Sequence, residues 1–111
     1  MRVLVIGGTG FIGRHITRGL LARNHTVTVL HRRHGAVPEG AHELVADRRD
    51  LSTANFALRE IRPDIVLDVI PSSGRQAQAL ADAIRGIARR LVLLPDRVQS
   101  GQASDLRFPR A

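Results

Sequence analysis

The first thirteen residues constrain this chain more than any other stretch. Arg2 to Ile6 is a short, β-branched run that stops at Gly7 and Gly8. From Phe11 to Arg23, Phe11, Ile12, Ile16, Leu20 and Leu21 then recur at helical spacing. A strand that turns through glycines straight into a helix needs a sheet to lie in and a second strand to return to. Thr26 to Leu30 supplies that strand, almost wholly apolar or β-branched, as expected for one buried on both faces. Asn24 closes the helix between them.

The alternation continues. Residues 34–41, with Gly35, Pro38 and Gly40, read as a loop; Glu43 to Ala46 reads as a brief third strand. Leu51 to Ile61 follows as a helix with Ser52 or Thr53 near its N-cap and Pro63 blocking its continuation. Ile65 to Ile70 is a fourth strand closed by Pro71, Ser72, Ser73 and Gly74. Arg75 to Ala88 is an amphipathic helix with Ala77, Leu80, Ala81, Ile84 and Ile87 on one stripe. Leu91 to Leu94 is the fifth strand. Five strands alternating with helices predict an α/β, Rossmann-like three-layer parallel sheet, incomplete, in order 3-2-1-4-5. Residues 1–94 form the expected domain, and 95–111 read as an irregular or disordered tail. The fifth strand is then an exposed sheet edge, through which self-association is expected.

Composition sets limits on function. At 111 residues and 43% apolar, the chain suffices for one modest core. It has no cysteine, which excludes disulfides, thiolate metal sites and a cysteine nucleophile. No apolar run reaches membrane-span length and no export signal opens the chain, so a cytoplasmic setting without membrane contact is expected. All 17 basic residues are arginine, against 10 acidic ones, leaving +7. Scattered arginines with only three phenylalanines between them favour a solvated surface over a nucleic-acid partner.

The chemistry sits at the end of the first strand. Gly7, Gly10 and Gly13 are spaced G-x-x-G-x-x-G within G-G-T-G-F-I-G. Gly7 permits the sharp turn, Gly10 lets the main chain approach a pyrophosphate, and Gly13 lets the helix lie close on the sheet. The helix N-terminus then offers free N–H groups and a positive dipole end. With Thr9, Phe11 and Ile12 these residues form the expected dinucleotide-binding turn. An NAD site usually places a carboxylate at the end of the second strand to bond the ribose 2′-hydroxyl; this chain has His31, Arg32 and Arg33. Arginine suits a 2′-phosphate through charge-assisted hydrogen bonds, so NADP is expected, with NAD the alternative.

M-R-V-L-V-I-G-G-T-G-F-I-G-R-H, with A-D-R-R-D at 46–50 and P-D-I-V-L-D-V-I at 63–70, resembles the extended short-chain dehydrogenase/reductase group, the NAD-dependent epimerases and dehydratases, from Met1 to about Leu94. The resemblance implies that Asp47, with Arg48 beside it, contacts adenine and that Val69, Ile70 and Pro71 lie along the cofactor. It also implies a catalytic serine or threonine after the fifth strand and a tyrosine four residues before a lysine. The chain contains no tyrosine and no lysine and reads Leu94, Pro95, Asp96 where the family shows a Ser-Ser pair, so turnover by these residues alone is not expected. Truncation is the favoured explanation, beside a domain excerpt and a degenerate binding protein. A small-molecule substrate then requires a C-terminal region. A non-catalytic NADP sensor and an RNA-binding relative stand as alternatives. His31 and His34 as a metal pair lack a convincing third ligand and read better as loop histidines. Asp47 and Asp50 read better as turn and helix-entry residues than as an acid–base pair. Asp68, polar in an apolar strand, either lines the cofactor cleft or bonds backbone near the strand end.

Overall fold

The computed structural model describes residues 1–7, 9–32, 36–69, 74–94 and 104–108. Strands β1 (Arg2–Ile6), β2 (Thr26–His31), β3 (His42–Val45), β4 (Ile65–Asp68) and β5 (Arg90–Leu93) run parallel, and β6 (Ser104–Arg107) joins antiparallel to β5. The sheet order is β3-β2-β1-β4-β5-β6. The expected order 3-2-1-4-5 is therefore present, with a sixth strand added at one end.

β1 lies in the middle because its residues demand it. Val3, Leu4, Val5 and Ile6 are all at most 3% exposed, a burial that only a strand covered on both faces reaches. Successive side chains divide between two cores. Val3, Val5, Val27 and Val29 pack beneath helix α1 (Phe11–Ala22), whose Leu20 and Leu21 lie against them. Leu4, Ile6, Leu30, Val66 and Leu91 face the opposite layer, formed by a 3-10 segment (Arg48–Ala54), α2 (Asn55–Ile61) and α3 (Gly74–Ile84), and pack with Leu58, Leu80 and Ile84.

The helix ends follow local chemistry. α1 stops at Asn24, which adopts φ 66°; the His25 N–H then donates to Leu20 O at 3.1 Å. α2 stops at Arg62 with φ 51°, directly before Pro63, whose ring forbids another turn. Arg62 is the costlier of the two, since a long side chain has no local hydrogen bond to favour the left-handed region.

Three expectations need correction. The helix expected over residues 51–61 is instead a 3-10 segment kinked at Asp50 (φ −140°, ψ 67°) followed by a short α-helix whose N-cap is Ala54 without a side-chain hydrogen bond. Ser52 Oγ is drawn away from capping and donates to Asp50 Oδ1 at 2.7 Å. The amphipathic helix expected to run to Ala88 stops at Ile84: Ala88 N donates to Ile84 O, and Gly86 turns the chain at φ 83°. Within the tail read as irregular, Ser104–Arg107 is a strand, so β5 is not an edge. Arg90 holds it through two hydrogen bonds to Asp105, Nε to Oδ1 at 3.1 Å and Nη2 to Oδ2 at 2.7 Å. Phe108 packs on the core beyond it, with the Arg85 guanidinium 5.2 Å from its ring centroid.

Among the described residues no helix is long and apolar enough to cross a membrane.

Candidate functional site

The carboxyl ends of β1, β2, β3 and β4 open to the same side of the sheet, because the four strands are parallel. Gly7 leaves β1 with φ 85°, a conformation that L side chains rarely adopt, while its N–H donates to Leu30 O at 3.1 Å and ties the turn to β2. Thr9 is half-buried within the turn. Gly10 is the N-cap of α1, and Gly13 is buried where that helix meets the sheet.

Gly10 differs from Gly7 in why it is glycine. Its φ −74° and ψ 173° suit any residue. Among the described residues, chain neighbours aside, a Cβ built there would meet no atom nearer than Gly7 O at 3.9 Å. The fold leaves room for a side chain at this place, and the sequence leaves that room empty. Beside it, α1 carries no capping side chain and no acidic residue in its first turn. The first amides of a helix have no intrahelical acceptor, so an anion set over Gly10 would meet donors and the positive end of the helix dipole. The residues present therefore fit a phosphate group.

Phe11 and Ile12 do not pack inward as their helical spacing suggests. They are 84% and 59% exposed and form an apolar rim beside the glycine turn. Gly13 and Thr17 take the inward positions instead.

His31 is the last residue of β2, and its side chain is 6% exposed. Its Nε2 lies 3.1 Å from Glu43 Oε2 on β3. Arg32 follows with an exposed side chain, its Nε 3.8 Å from Asp47 Oδ2 beyond the end of β3. The structure thus brings Arg32 and Asp47 together at one corner. Asp50 lies in the kinked segment after Asp47, bonded to Ser52, in keeping with a turn role. Arg48 opens that segment. Val69 is half-buried at the end of β4, its N–H donating to Ile6 O at 3.1 Å. Asp68, paired with Ile6 and Leu93, is 1% exposed on the α3 side of the sheet and is not without a partner. Arg33, His34, Ile70 and Pro71 lie outside the described residues.

One residue of this corner and one on α1 escaped the sequence reading. Glu43 faces His31 only because β2 and β3 pair with Val29 opposite Glu43 and His31 opposite Val45, a register no linear pattern reveals. Arg14 has its Nε buried without a hydrogen-bond partner. It stands seven residues before Leu21, two helical turns along the same side of α1, and Leu21 reaches the Gly40 turn that leads into β3. The heptad spacing was the available signal.

Known proteins agree with this geometry. The model of the NAD dependent epimerase/dehydratase family matches residues 3–94. A 3-diazoavenalumate denitrifying reductase of a Streptomyces species is 40% identical over 67 residues, covering 60% of this chain and 22% of that protein. A 2′-dehydrokanamycin reductase of Streptomyces kanamyceticus is 30% identical over 95 residues, covering 84% and 27%. Among solved structures, a Thermus thermophilus UDP-glucose 4-epimerase in complex with NAD superposes with TM-score 0.67 at 34% identity, covering 78% of this chain and 35% of that one. The chain spans about a quarter of the length of these reductases and about a third of the epimerase. With strand order, glycine turn and sequence match in accord, the chain belongs to the NAD-dependent epimerase/dehydratase family.

Proposed function

We propose that these residues bind NADP(H) at the carboxyl ends of β1 and β2 and form the cofactor-holding part of an oxidoreductase, without supplying the acid–base groups of turnover. The open space at Gly10 over an uncapped helix N-terminus carries the reading. Gly7, Thr9, Gly10, Phe11, Ile12 and Gly13 would hold the diphosphate, Asp47 and Arg48 the adenine, and Val69, Ile70 and Pro71 the remainder. Bound there, the cofactor supplies hydride exchange.

The preference for NADP rests on the end of β2. A carboxylate there would accept from a ribose 2′-hydroxyl and repel a 2′-phosphate; His31 accepts no such role while it faces Glu43, and Arg32 and Arg33 follow it. Arg32 is only loosely held by Asp47 at 3.8 Å and is 56% exposed, so it is available to a phosphate. A Tyr–Lys proton donor is absent from these 111 residues, so a substrate would need groups from elsewhere.

Titration of the purified chain with NADPH and NADH tests this. Tighter binding of NADPH, by about tenfold, is the expected result. Equal affinity or a preference for NADH removes the NADP assignment, and no saturable binding of either removes the function.

A further inference from the structure

We propose that the outer edge of β6, the last strand of the sheet among the described residues, pairs with β6 of a second copy of this chain, joining two sheets across a twofold axis that passes beside Leu106. The hydrogen-bond parity of the strand comes first. Phe108 N donates to Arg89 O at 2.7 Å, and the register sets Leu106 opposite Leu91 and Ser104 opposite Leu93. Hydrogen-bonded pairs alternate along an antiparallel ladder, so residues 104, 106 and 108 spend their backbone groups on β5. Residues 105 and 107 therefore turn their N–H and C=O groups to the open side.

A second antiparallel strand must meet these outward residues with outward residues of its own. Three twofold registers do so. One sets Asp105 against Asp105, one sets Arg107 against Arg107, and the third sets Asp105 against Arg107 on both sides of the axis. Like charges directly opposite are destabilising and opposite charges favourable, so the third register is selected. It leaves Asp105 beside Arg90, whose Nη2 is 2.7 Å away, and beside its own Arg107, whose Nη2 is 3.6 Å away, and sets the second copy's arginine opposite the same carboxylate. It also brings Leu106, 40% exposed on the other face, against its twin.

The occupant is a second copy because the edge is complementary to itself: one Asp and one Arg, two residues apart, sharing a face. The other sheet edge lacks this. On β3, Glu43 shares its face with Val45 and His42 with Leu44, so no register pairs opposite charges there. The net charge of +7 opposes association, but screening over about 8 Å at physiological salt leaves the neutral edge to decide. One four-residue strand pair buries less than the roughly 1,600 Å² of a standard interface, so the dimer belongs to the weak, exchanging class.

Because the chain has no cysteine, single-cysteine variants report the register directly. In the selected register the residues at 106 form a non-hydrogen-bonded pair with Cα atoms about 4.5 Å apart, within disulfide reach. Under mild oxidation Leu106→Cys is expected to form disulfide dimers about tenfold faster than Phe56→Cys, whose site is 77% exposed on α2, and faster than Asp105→Cys or Arg107→Cys. Adding Arg107→Glu to Leu106→Cys should remove that advantage, since it opposes two carboxylates. Equal rates at 106 and 56, fastest cross-linking at 105 or 107, or indifference to Arg107→Glu overturns the proposal. Sedimentation of the unmodified chain needs no variant to fold: reversible dimerisation with concentration supports it, and a strict monomer at roughly millimolar concentration overturns it.

Discussion

Adding one methyl group at Gly10 separates the fold from the ligand site more cleanly than any other change. Its φ and ψ suit alanine, and among the described residues, chain neighbours aside, the atom nearest the new Cβ is Gly7 O at 3.9 Å, an ordinary contact. Two small effects on stability then oppose each other. Alanine narrows the unfolded ensemble and stabilises by about 0.4–1 kcal/mol. It is also a poorer N-cap than glycine, costing about 0.5–1 kcal/mol. The expected net change in unfolding free energy is within about 0.5 kcal/mol. A diphosphate approaching the same main chain meets the methyl group and is held off the helix amides. Losing one or two charge-assisted hydrogen bonds, each worth about 1.5–3 kcal/mol, weakens binding by about 2–4 kcal/mol, or roughly 30- to 1000-fold. Thermal unfolding and calorimetric titration with NADPH, on the same preparations, read the two quantities. A Gly10→Ala variant that binds within about threefold of the parent, or that unfolds many degrees lower, refutes the reasoning.

Gly7→Ala should behave in the opposite way, losing about 1–2 kcal/mol of stability because φ 85° is strained for any side chain. Chemical denaturation measures it. Arg32→Glu is expected to weaken NADPH binding by about tenfold or more while changing NADH binding little, as competitive titration would read. Leu58→Ala, at 1% exposure between α2 and the sheet, should cost about 2–4 kcal/mol by denaturant unfolding. The Arg90 hydrogen bonds hold the Asp105 carboxyl below the usual aspartate range. A lowered folded value means that the stabilisation of β6 is full above the ordinary aspartate pKa, about 3.9, and is lost as pH falls through the lowered value. Amide protection factors at residues 104–107 should therefore fall at acid pH before those of β1, and Asp105→Asn should flatten the dependence.

The residues that announced themselves in the sequence are those whose pattern is self-contained. Val3 to Ile6 and Thr26 to Leu30 read as doubly buried strands because every residue is apolar or β-branched; Val3 to Ile6 and Val27 to Leu30 are buried, and Thr26 is exposed. The sharp turn at Gly7 and the close packing of Gly13 read from the sequence for the same reason. β6 was illegible: S-D-L-R has no apolar run, and it is a strand because Arg90 grips Asp105 and Phe108 packs on the core. The kinked segment at Asp50 was hidden too, since Ser52 spends its hydroxyl on Asp50 instead of capping α2. Phe11 and Ile12 misled because helical spacing gives a stripe but not which side of it the sheet takes, and Gly13 and Thr17 took that side. At the corner of the site, His31 and Glu43 meet only through strand register.

β1 is made before both of its neighbours in the finished sheet, β2 and β4, which end at residues 31 and 68. One flank of this oily strand thus stays bare until β4 has been made. Closing that flank requires pairing residues some sixty positions apart, as Val3 with Ile65, a distant closure that slows folding. The nascent chain should accordingly depend on chaperone shelter during this interval, and crowded or rapid synthesis should favour its aggregation.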